Sequence, residues 1–313
     1  MKNYLVTGGA GFIGSCMAER LAADPDVKVI IVDNFITGAP EKLPDMEKFS
    51  NVRFIKCDVN RYEDIASVFH AYKFEYVFHY AALVGVKRTL QNPVAVLEDV
   101  KGLENILRLS KNTGVKRVFY SSSSEVYGEP VEFPQNENTT PLNSRLPYAV
   151  VKNLGEAYLK SYKQEFDLNY TIFRFFNTYG PKQSKDFVVS KFINMALKNA
   201  DLTIYGDGSQ TRTFCFIDDN VEACFNSIKN ESFINDVINV GGNQEITILE
   251  LAQTIINVTG SSSKIEYLPA LPEGDMTRRL PDVSKMNQLL QRDKLSLEEG
   301  IRKILENSHF IIH

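Results

Sequence analysis

The 313-residue sequence has only four cysteines, and no two of them form a CxxC pair. Cys16, Cys57, Cys215 and Cys224 are dispersed, so we expect reduced thiols that pack as small apolar groups rather than a disulfide framework. The four histidines stand in no spacing that would let them share a metal ion. The sequence therefore predicts neither a metal site nor a Ser-His-Asp triad.

No run of the chain approaches the roughly 20 apolar residues that a membrane helix needs, although 43% of the residues are hydrophobic. Lysines and arginines are scattered, and the net charge of −4 argues against a nucleic-acid partner. The chain enters an apolar strand almost at once, so we expect no signal peptide and a cytoplasmic location. The length suits one large α/β domain or two lobes.

A glycine-rich turn follows the first predicted strand and opens a helix. Gly8, Gly11 and Gly14 would allow a tight turn, close approach of the backbone to a pyrophosphate, and close packing of helix on strand. The N–H groups at the start of the helix, near Phe12 and Ile13, would face the phosphates. This context predicts a dinucleotide site rather than a purely structural turn.

Acidic residues after the second and third predicted strands extend this prediction. Asp33 lies 19 residues after Gly14 and would accept hydrogen bonds from a ribose, which favours NAD over NADP. Its neighbour Asn34 belongs to the same predicted site. Asp58, with Val59 beside it, would take the adenine amine or would be only a helix cap or an exposed loop acid. Two small residues are predicted where the cofactor passes the sheet, or as plain core residues: Ala81 and Ala82.

Strands and helices alternate over residues 1–177, which predicts an α/β fold with a Rossmann-type, doubly wound parallel sheet. Such sheets bind ligands at the carboxyl ends of their strands. A smaller α/β substrate lobe is expected over 178–313, interwoven with the first domain, with a strand at Val237–Val240 and a helix at Lys191–Lys198. In this lobe Thr247 and Glu250 predict a capping box.

Tyr148 and Lys152 follow a serine run, Ser121–Ser124, and stand four residues apart in a predicted helix. Residues four apart share a helix face, so the Lys152 ammonium can lie near the phenol oxygen. A nearby positive charge lowers the pKa of a tyrosine from its usual value of about 10. Tyr148 would thereby become usable as a base near neutral pH.

With these motifs, the sequence resembles the extended short-chain dehydrogenases/reductases of the nucleotide-sugar epimerase/dehydratase group over nearly its whole length. The resemblance implies that Tyr148 takes the proton of a sugar 4-hydroxyl while hydride leaves C4 for NAD. It also implies that Ser123 holds that hydroxyl and that Lys152 binds the nicotinamide ribose. Further segments that carry the resemblance are Thr7–Gly14, Ser121–Gly128, Arg174–Pro181 and Gly206–Arg212.

The residues beside Ser123 leave open the reaction that follows oxidation. The interval of 25 residues from Ser123 to Tyr148 is similar to that of 4-epimerases, which return hydride to the other face of the sugar. Ser124 and Glu125 resemble UDP-glucuronate decarboxylases, and the acid that a 4,6-dehydratase uses is absent. We predict a 4-epimerase, with decarboxylation or dehydration as alternatives. Glu125 would be a base at C5, an acceptor for a substrate hydroxyl, or an exposed loop acid.

The resemblance also implies a nucleotide-diphosphate sugar as the substrate. Asn177 is similar to the family residue that binds the diphosphate. Arg212 and Arg278 are candidates for its phosphates, because arginine can bind an oxyanion through two parallel hydrogen bonds. Arg279 is adjacent to Arg278, and the sequence does not say which one points inward. The other predicted substrate contacts are Lys87, Val188, Val189 and Tyr205.

Two further classes of protein remain as alternatives. A net oxidoreductase of the same fold would release reduced cofactor in each turnover, whereas a recycling enzyme often retains nicotinamide. A non-catalytic NAD-binding scaffold would have no need of Ser123, Tyr148 and Lys152 together. Two long predicted helices, Val94–Lys111 and Tyr148–Phe166, often pair across a two-fold axis in the group that the sequence resembles. A homodimer built on a four-helix bundle is therefore expected.

Overall fold

The computed structural model describes residues 1–269 and 278–307, apart from the side chains of Val86 and Lys87. Its largest feature is a seven-stranded sheet, whose strands carry numbers in chain order: β1 Lys2–Thr7, β2 Val27–Asp33, β3 Val52–Lys56, β4 Phe74–His79, β5 Arg117–Ser123, β6 Asn169–Phe175 and β11 Asp236–Val240. They follow the order β11-β6-β5-β4-β1-β2-β3. Neighbouring strands from β6 to β3 run parallel. This order confirms the predicted Rossmann-type, doubly wound sheet.

Buried apolar and aromatic side chains hold the sheet together. Ile30 and Ile31 point to opposite faces of β2 and both are fully buried, as expected for a parallel sheet that is covered on both sides. Phe78 stacks on Phe119 with ring centroids 4.7 Å apart, and Phe119 stacks on Phe173 at 6.1 Å. One aromatic stack therefore crosses three adjacent strands, β4, β5 and β6.

Local sequence sets the limits of the helices. Proline opens two long helices, at Pro93 and at Pro147, and Gly114 with a φ of 75° ends the first of them. Within the described residues, no helix is both long and apolar enough to cross a membrane. The helices are α1 Phe12–Ala22, α2 Tyr62–Ala71, α3 Val86–Gln91, α4 Pro93–Thr113, α5 Pro147–Phe166, α6 Val188–Leu197, α7 Ile217–Lys229, α8 Ile248–Thr259, α9 Ser284–Leu290 and α10 Leu297–Glu306.

The chain divides into two compact units. Unit 1 comprises Met1–Gly128, Leu142–Phe175 and Val221–Ile238. Unit 2 comprises Glu129–Pro141, Phe176–Asn220 and the described residues from Asn239 onward. Each unit thus draws segments from both sides of residue 177, and the predicted domain limits of 1–177 and 178–313 stay a prediction.

Unit 2 is built from short two-stranded ladders and helices. Its ladders are β7 Thr178–Tyr179 with β10 Cys215–Phe216, β8 Leu202–Tyr205 with β13 Ile265–Leu268, and β9 Thr211–Thr213 with β12 Glu245–Thr247. Only the last of these is antiparallel. Thr247 and Glu250 form the predicted capping box at the start of α8.

Two elements differ from the expectation. The strand predicted at Val237–Val240 is β11, and it joins the central sheet beside β6 instead of belonging to a separate lobe. The N–H of Asn235 donates to the carbonyl of Tyr170 at 2.7 Å, which starts this pairing. Helix α6 begins at Val188 and not at Lys191. Its N-cap, Phe187, still has extended backbone angles, so the change to helical conformation falls at Val188.

Candidate active site

The glycine turn after β1 brings two predicted cofactor segments together within unit 1. Gly8 has a φ of 68°, and a Cβ at this position would lie 2.6 Å from the amide nitrogen of Ala81. Only glycine fits here, for both conformational and steric reasons. Ala81 and Ala82 are half-buried, and Ala81 also packs against the hydrophobic core of the sheet. The turn and the end of β4 therefore form one continuous surface.

The start of α1 suits a bound anion. Its N-cap is Gly11, and among the described residues no side chain caps this end of the helix. A Cβ on Gly14 would lie 2.3 Å from the carbonyl oxygen of Gly8, so the helix packs directly on the turn. The amide groups of the first turn, at Phe12 and Ile13, are thus presented as in a pyrophosphate site.

Asp33, the last residue of β2, is buried and accepts two backbone hydrogen bonds. The N–H of Ala10 donates to Oδ2 at 3.0 Å and the N–H of Phe35 donates to Oδ1 at 2.8 Å. A carboxylate offers about four acceptor positions, so both oxygens keep capacity for ribose hydroxyls. Asn34 accepts from the N–H of Ile36 at 3.0 Å and shapes the loop beyond. These features fit the adenosine side of NAD.

Asp58 is engaged in a local turn. Its Oδ1 accepts the N–H of Asn60 at 2.9 Å, and Asp58 is half-buried and not an exposed loop acid. Its contact with adenine stays a prediction. Val59 is buried, and its carbonyl accepts a hydrogen bond from the Asn105 side chain at 2.9 Å. Lys87 falls in α3, but its side chain is outside the described part of the structure.

Thr7 and His79 join the ends of β1 and β4, although no motif of the sequence indicates a role for this pair. Thr7 Oγ1 accepts the N–H groups of Tyr80 at 3.2 Å and Ala81 at 3.1 Å. Its hydrogen is therefore directed to Nδ1 of His79, 2.9 Å away. Burial, followed by the charge of Lys152, lowers the pKa of His79 to about 3, so the imidazole is neutral.

Lys152 is buried on α5, four residues after Tyr148. Its ammonium donates to the carbonyl of Ser121 at 2.6 Å and lies 5.7 Å from the ring centroid of Tyr148 and 5.0 Å from that of Tyr120. Burial lowers the pKa of Lys152 to about 8, and the negative charge of Asp99 opposes this change. The structure thus brings the predicted cation beside the predicted base, which is itself half-buried.

Ser123 ends β5 and begins a short 3₁₀ turn, Ser124–Tyr127. Its Oγ accepts the N–H of Glu125 at 3.2 Å, which orients the hydroxyl. Ser124 is buried, and Glu125 is half-buried within the turn and not fully exposed. The roles of these residues stay predictions. Ser123 lies at the carboxyl end of β5, and ligands bind at the carboxyl ends of the strands in sheets of this kind.

In unit 2, Arg278 is held by an acid that the sequence analysis did not identify. Its Nε and Nη2 donate to the two oxygens of Glu245, both at 2.6 Å, and its guanidinium lies 4.3 Å from the ring centroid of Phe133. The hydrogen bonds from Arg278 lower the pKa of Glu245. Arg212 is buried on β9 and donates to the carbonyl of Thr211 at 2.8 Å. The ladder of β9 with β12 thus connects both predicted phosphate-binding arginines.

The other predicted substrate residues of unit 2 differ in exposure. Asn177 is half-buried and donates from Nδ2 to the carbonyl of Thr213 at 3.0 Å, so it lies beside the same ladder. Val188 is half-buried at the start of α6, whereas Val189 is buried and packs inside unit 2. Tyr205 is exposed at the end of β8. Of the two valines, the structure therefore presents only Val188 to a ligand.

A buried polar network lies one helical turn beyond Lys152 in unit 1. We call Ser122, Tyr127, Glu156 and Arg174 the Arg174 network. Arg174 donates to both oxygens of Glu156, at 2.9 and 2.6 Å, and to the hydroxyl of Tyr127 at 2.8 Å. Ser122 Oγ donates to Glu156 at 2.6 Å. Burial disfavours the charge of Arg174, but the hydrogen bonds and charge of Glu156 raise the pKa of the guanidinium overall.

Comparison with known proteins agrees with this geometry. The model of the NAD-dependent epimerase/dehydratase family matches residues 4–241. The chain belongs to this family of enzymes, and NAD is its cofactor. The features that fit NAD in unit 1 are the side-chain-free glycine turn, the uncapped start of α1 and the acceptor capacity of Asp33.

Individual relatives carry two different activities in their names. UDP-glucuronic acid decarboxylase 1 of Arabidopsis thaliana is 35% identical over 311 residues, which cover 97% of this chain and 69% of the plant protein. A putative UDP-glucose 4-epimerase of Methanocaldococcus jannaschii is 34% identical over 306 residues, 96% of each chain. The crystal structure of UDP-glucose 4-epimerase from Thermotoga maritima with UDP-glucose has a TM-score of 0.91 and 32% identity, and covers 99% of this chain and all of the other.

Proposed function

We propose that this enzyme is an NAD-dependent nucleotide-sugar 4-epimerase that works through a transient 4-keto sugar. The observation that carries the proposal is the buried Lys152 ammonium beside the ring of Tyr148, next to the strand that ends in Ser123. NAD supplies a reversible acceptor for the hydride at C4. A base and a hydroxyl-orienting group are what the protein must add to that chemistry.

Each of the three side chains has a distinct task in the proposed reaction. The Tyr148 phenolate takes the proton of the sugar 4-hydroxyl and returns it in the closing step, after the keto sugar has presented its other face. Lys152 favours the phenolate through its positive charge. The Ser123 hydroxyl hydrogen-bonds the 4-oxygen and keeps it aligned with Tyr148. The products differ from the substrates only in configuration, so no net proton or electron is consumed.

The proposed substrate is a uridine diphosphate sugar. The names of the relatives, which are UDP-sugar enzymes, support the nucleotide. In unit 2 the buried Arg212 and the half-exposed Arg278 supply the positive charge that a diphosphate requires, and both connect to one ladder. Asn177 donates into that ladder and would fix a sugar or phosphate oxygen nearby.

Decarboxylation of a UDP-hexuronate is the second candidate. It is favoured by the half-buried Glu125 in the turn after Ser123, which a simple epimerase does not need, and by the plant relative. Here the same opening oxidation at C4 would make the sugar a β-keto acid. The bond from C5 to the carboxylate would break with loss of carbon dioxide, and its electron pair would pass into an enolate at C4. Protonation at C5 and return of hydride to C4 would complete the reaction. Glu125 would then hold the sugar or protonate C5.

A panel of nucleotide sugars tests the proposal. The purified protein is incubated with UDP-hexoses, UDP-N-acetylhexosamines and UDP-hexuronates, and products are identified by mass and NMR. Unchanged mass with inverted C4 supports the epimerase, whereas loss of carbon dioxide establishes the second candidate. Reduced cofactor in amounts equal to product would show a net oxidoreductase. Turnover that survives Tyr148→Phe would show that Tyr148 is not the base.

We also propose that the enzyme is a homodimer. In unit 1, helices α4 and α5 pack on each other and expose apolar side chains: Val94, Leu97, Val150 and Leu154. Apolar groups on adjacent helices are what a symmetric four-helix contact would bury. Light scattering that gives the mass of a single chain at micromolar concentration would contradict this proposal.

A further inference from the structure

The Arg174 network reaches both parts of the proposed catalytic apparatus. On the helix side, Glu156 is four residues after Lys152 and eight after Tyr148, so the three side chains follow one stripe along α5. On the strand side, Ser122 directly precedes Ser123, and Tyr127 is the last residue of the turn that carries Glu125. Strand end, turn and helix are therefore tied to a single guanidinium–carboxylate pair.

All four members are buried almost completely. The side chains of Arg174 and Glu156 are 2% and 1% exposed, and Ser122 and Tyr127 are 3% and 1% exposed. Removing two charges from water carries a desolvation cost that their attraction repays only with good geometry and additional hydrogen bonds. Here the geometry is a two-bond fork, and both additional bonds are present. Water is almost excluded from all four side chains, so these hydrogen bonds do not compete with bonds to water.

A buried pair of this kind is poor evidence for stability, since well-packed apolar residues often replace it without loss. Its location beside the three catalytic residues suggests another use. We propose that the Arg174 network positions the catalytic residues. It fixes Ser123 and the turn that follows it relative to the face of α5 that carries Tyr148 and Lys152. This inference rests on the proposed function, because it assigns the network to the hydroxyl alignment and proton transfer in that reaction.

Tyr127→Phe is the mildest test, because it removes one hydroxyl and keeps the shape of the ring. We expect kcat to fall by about tenfold or more, since misplacement of reacting groups by a fraction of an ångström up to 1 Å costs up to about a hundredfold. The KM for the nucleotide sugar should stay within twofold, because the hydrogen bonds that define the network involve neither Arg212 nor Arg278, the arginines proposed to bind the diphosphate. Arg174→Lys keeps the charge but removes the fork, and should lower kcat further.

A matched control exists in the same unit. Arg20 of α1 donates to both oxygens of Glu222 in α7, at 2.6 and 3.1 Å, and the pair has no contact with the serine turn or with α5 in the bonds described. Arg20→Lys therefore removes a two-bond fork of the same kind, although the side chains of this pair are 32% and 30% exposed. We expect it to change thermal stability only and to leave kcat within twofold. An equal loss of kcat in Arg20→Lys and Arg174→Lys would show that the Arg174 network is merely structural.

Hydrogen–deuterium exchange separates a failure of this inference from a failure of the proposed function. In Tyr127→Phe, the amides of residues 123–128 and of the first turns of α5 should exchange faster, while those of β1 and β2 stay unchanged. If the wild type turns over no nucleotide sugar, the proposed function fails and the exchange pattern alone decides the positioning role. Wild-type kcat in Tyr127→Phe, or unchanged exchange in that segment, overturns the inference.

Discussion

Two arginine–glutamate pairs of nearly the same geometry stand in opposite surroundings. In unit 1, the side chains of Arg174 and Glu156 are 2% and 1% exposed, whereas in unit 2 those of Arg278 and Glu245 are 42% and 24% exposed. The shortest N···O distance is 2.6 Å in both pairs. The two-bond fork is therefore common to both pairs, whereas the access of water and the additional hydrogen bonds differ: Arg174 also donates to Tyr127, and Glu245 also accepts from Thr211.

This difference decides what each pair can do. In the interior, an ion whose partner is removed retains its full desolvation cost, so Arg174 and Glu156 cannot exchange partners. At the surface, an ion pair contributes little because water competes for both groups. Arg278 can therefore leave the Glu245 carboxylate for the oxygens of a diphosphate at small cost. We propose that an arginine–glutamate pair positions catalytic residues in unit 1, and that a pair of the same residue types binds substrate in unit 2.

Removing one carboxylate charge from each pair should separate them most clearly. Glu156→Gln keeps the shape but removes the charge that balances Arg174, and we expect the free energy of unfolding to fall by about 3–5 kcal/mol. Glu245→Gln should change it little. Urea denaturation of both variants and the wild type, followed by circular dichroism at pH 7, measures the difference. Equal losses in the two variants would refute the contrast.

Lys152→Met tests a second buried charge of unit 1. Since the pKa of Lys152 in the folded protein, about 8, lies below its ordinary value of 10.5, the unfolded chain binds more protons between these values. The contribution of Lys152 to the free energy of unfolding is therefore lowest below pH 8 and rises as the pH goes from 8 to 10.5. Without bound nicotinamide cofactor, the free energy of unfolding of Lys152→Met should exceed that of the wild type by on the order of 3 kcal/mol at pH 7. This difference should vanish near pH 10.5.

The control for this experiment is Lys101→Met, which changes an exposed lysine of α4. Because water already surrounds that ammonium and its ion pair with Glu98 is exposed, its replacement should change the free energy of unfolding by less than about 1 kcal/mol at pH 7. Denaturation curves at several pH values measure both variants. A Lys152→Met protein that is less stable than the wild type at pH 7 would mean that hydrogen bonds to Ser121 outweigh the cost of burial.

The cofactor half of the site could be predicted because it depends on local pattern and on a general rule of sheets. The contact of Gly8 with Ala81 joins segments more than 70 residues apart, yet both were expected at the carboxyl ends of strands in one parallel sheet. That β1 and β4 are neighbours is shown only by the structure. The alternation of strands and helices predicted a doubly wound parallel sheet, which the structure confirms, but not the order of its strands. Such inferences need no knowledge of individual side-chain contacts.

Partners of charged side chains could not be predicted in the same way. Glu156 continues the spacing of Tyr148 and Lys152, a signal that was available. Its partner Arg174 lies in the apolar strand β6, and no local spacing links these two residues, which are 18 positions apart. Glu245 and Arg278 are 33 residues apart and meet only through tertiary structure. The sequence placed the start of α6 at Lys191 and not at Val188. Only the structure shows that Val189 is buried and so belongs to the apolar face of this helix.

Arg278→Ala gives the smallest expected effect and addresses the exposed pair directly. If Arg278 exchanges Glu245 for the diphosphate, its loss should raise the KM for the nucleotide sugar about tenfold and leave kcat within twofold, because substrate and transition state lose the same contact. Steady-state kinetics of the variant beside Arg279→Ala, the adjacent arginine, provides the measurement. A larger rise of KM in Arg279→Ala would transfer the phosphate contact to that residue and would leave the Arg278–Glu245 pair as a structural contact within unit 2, in contrast to the positioning role that we propose for its buried counterpart in unit 1.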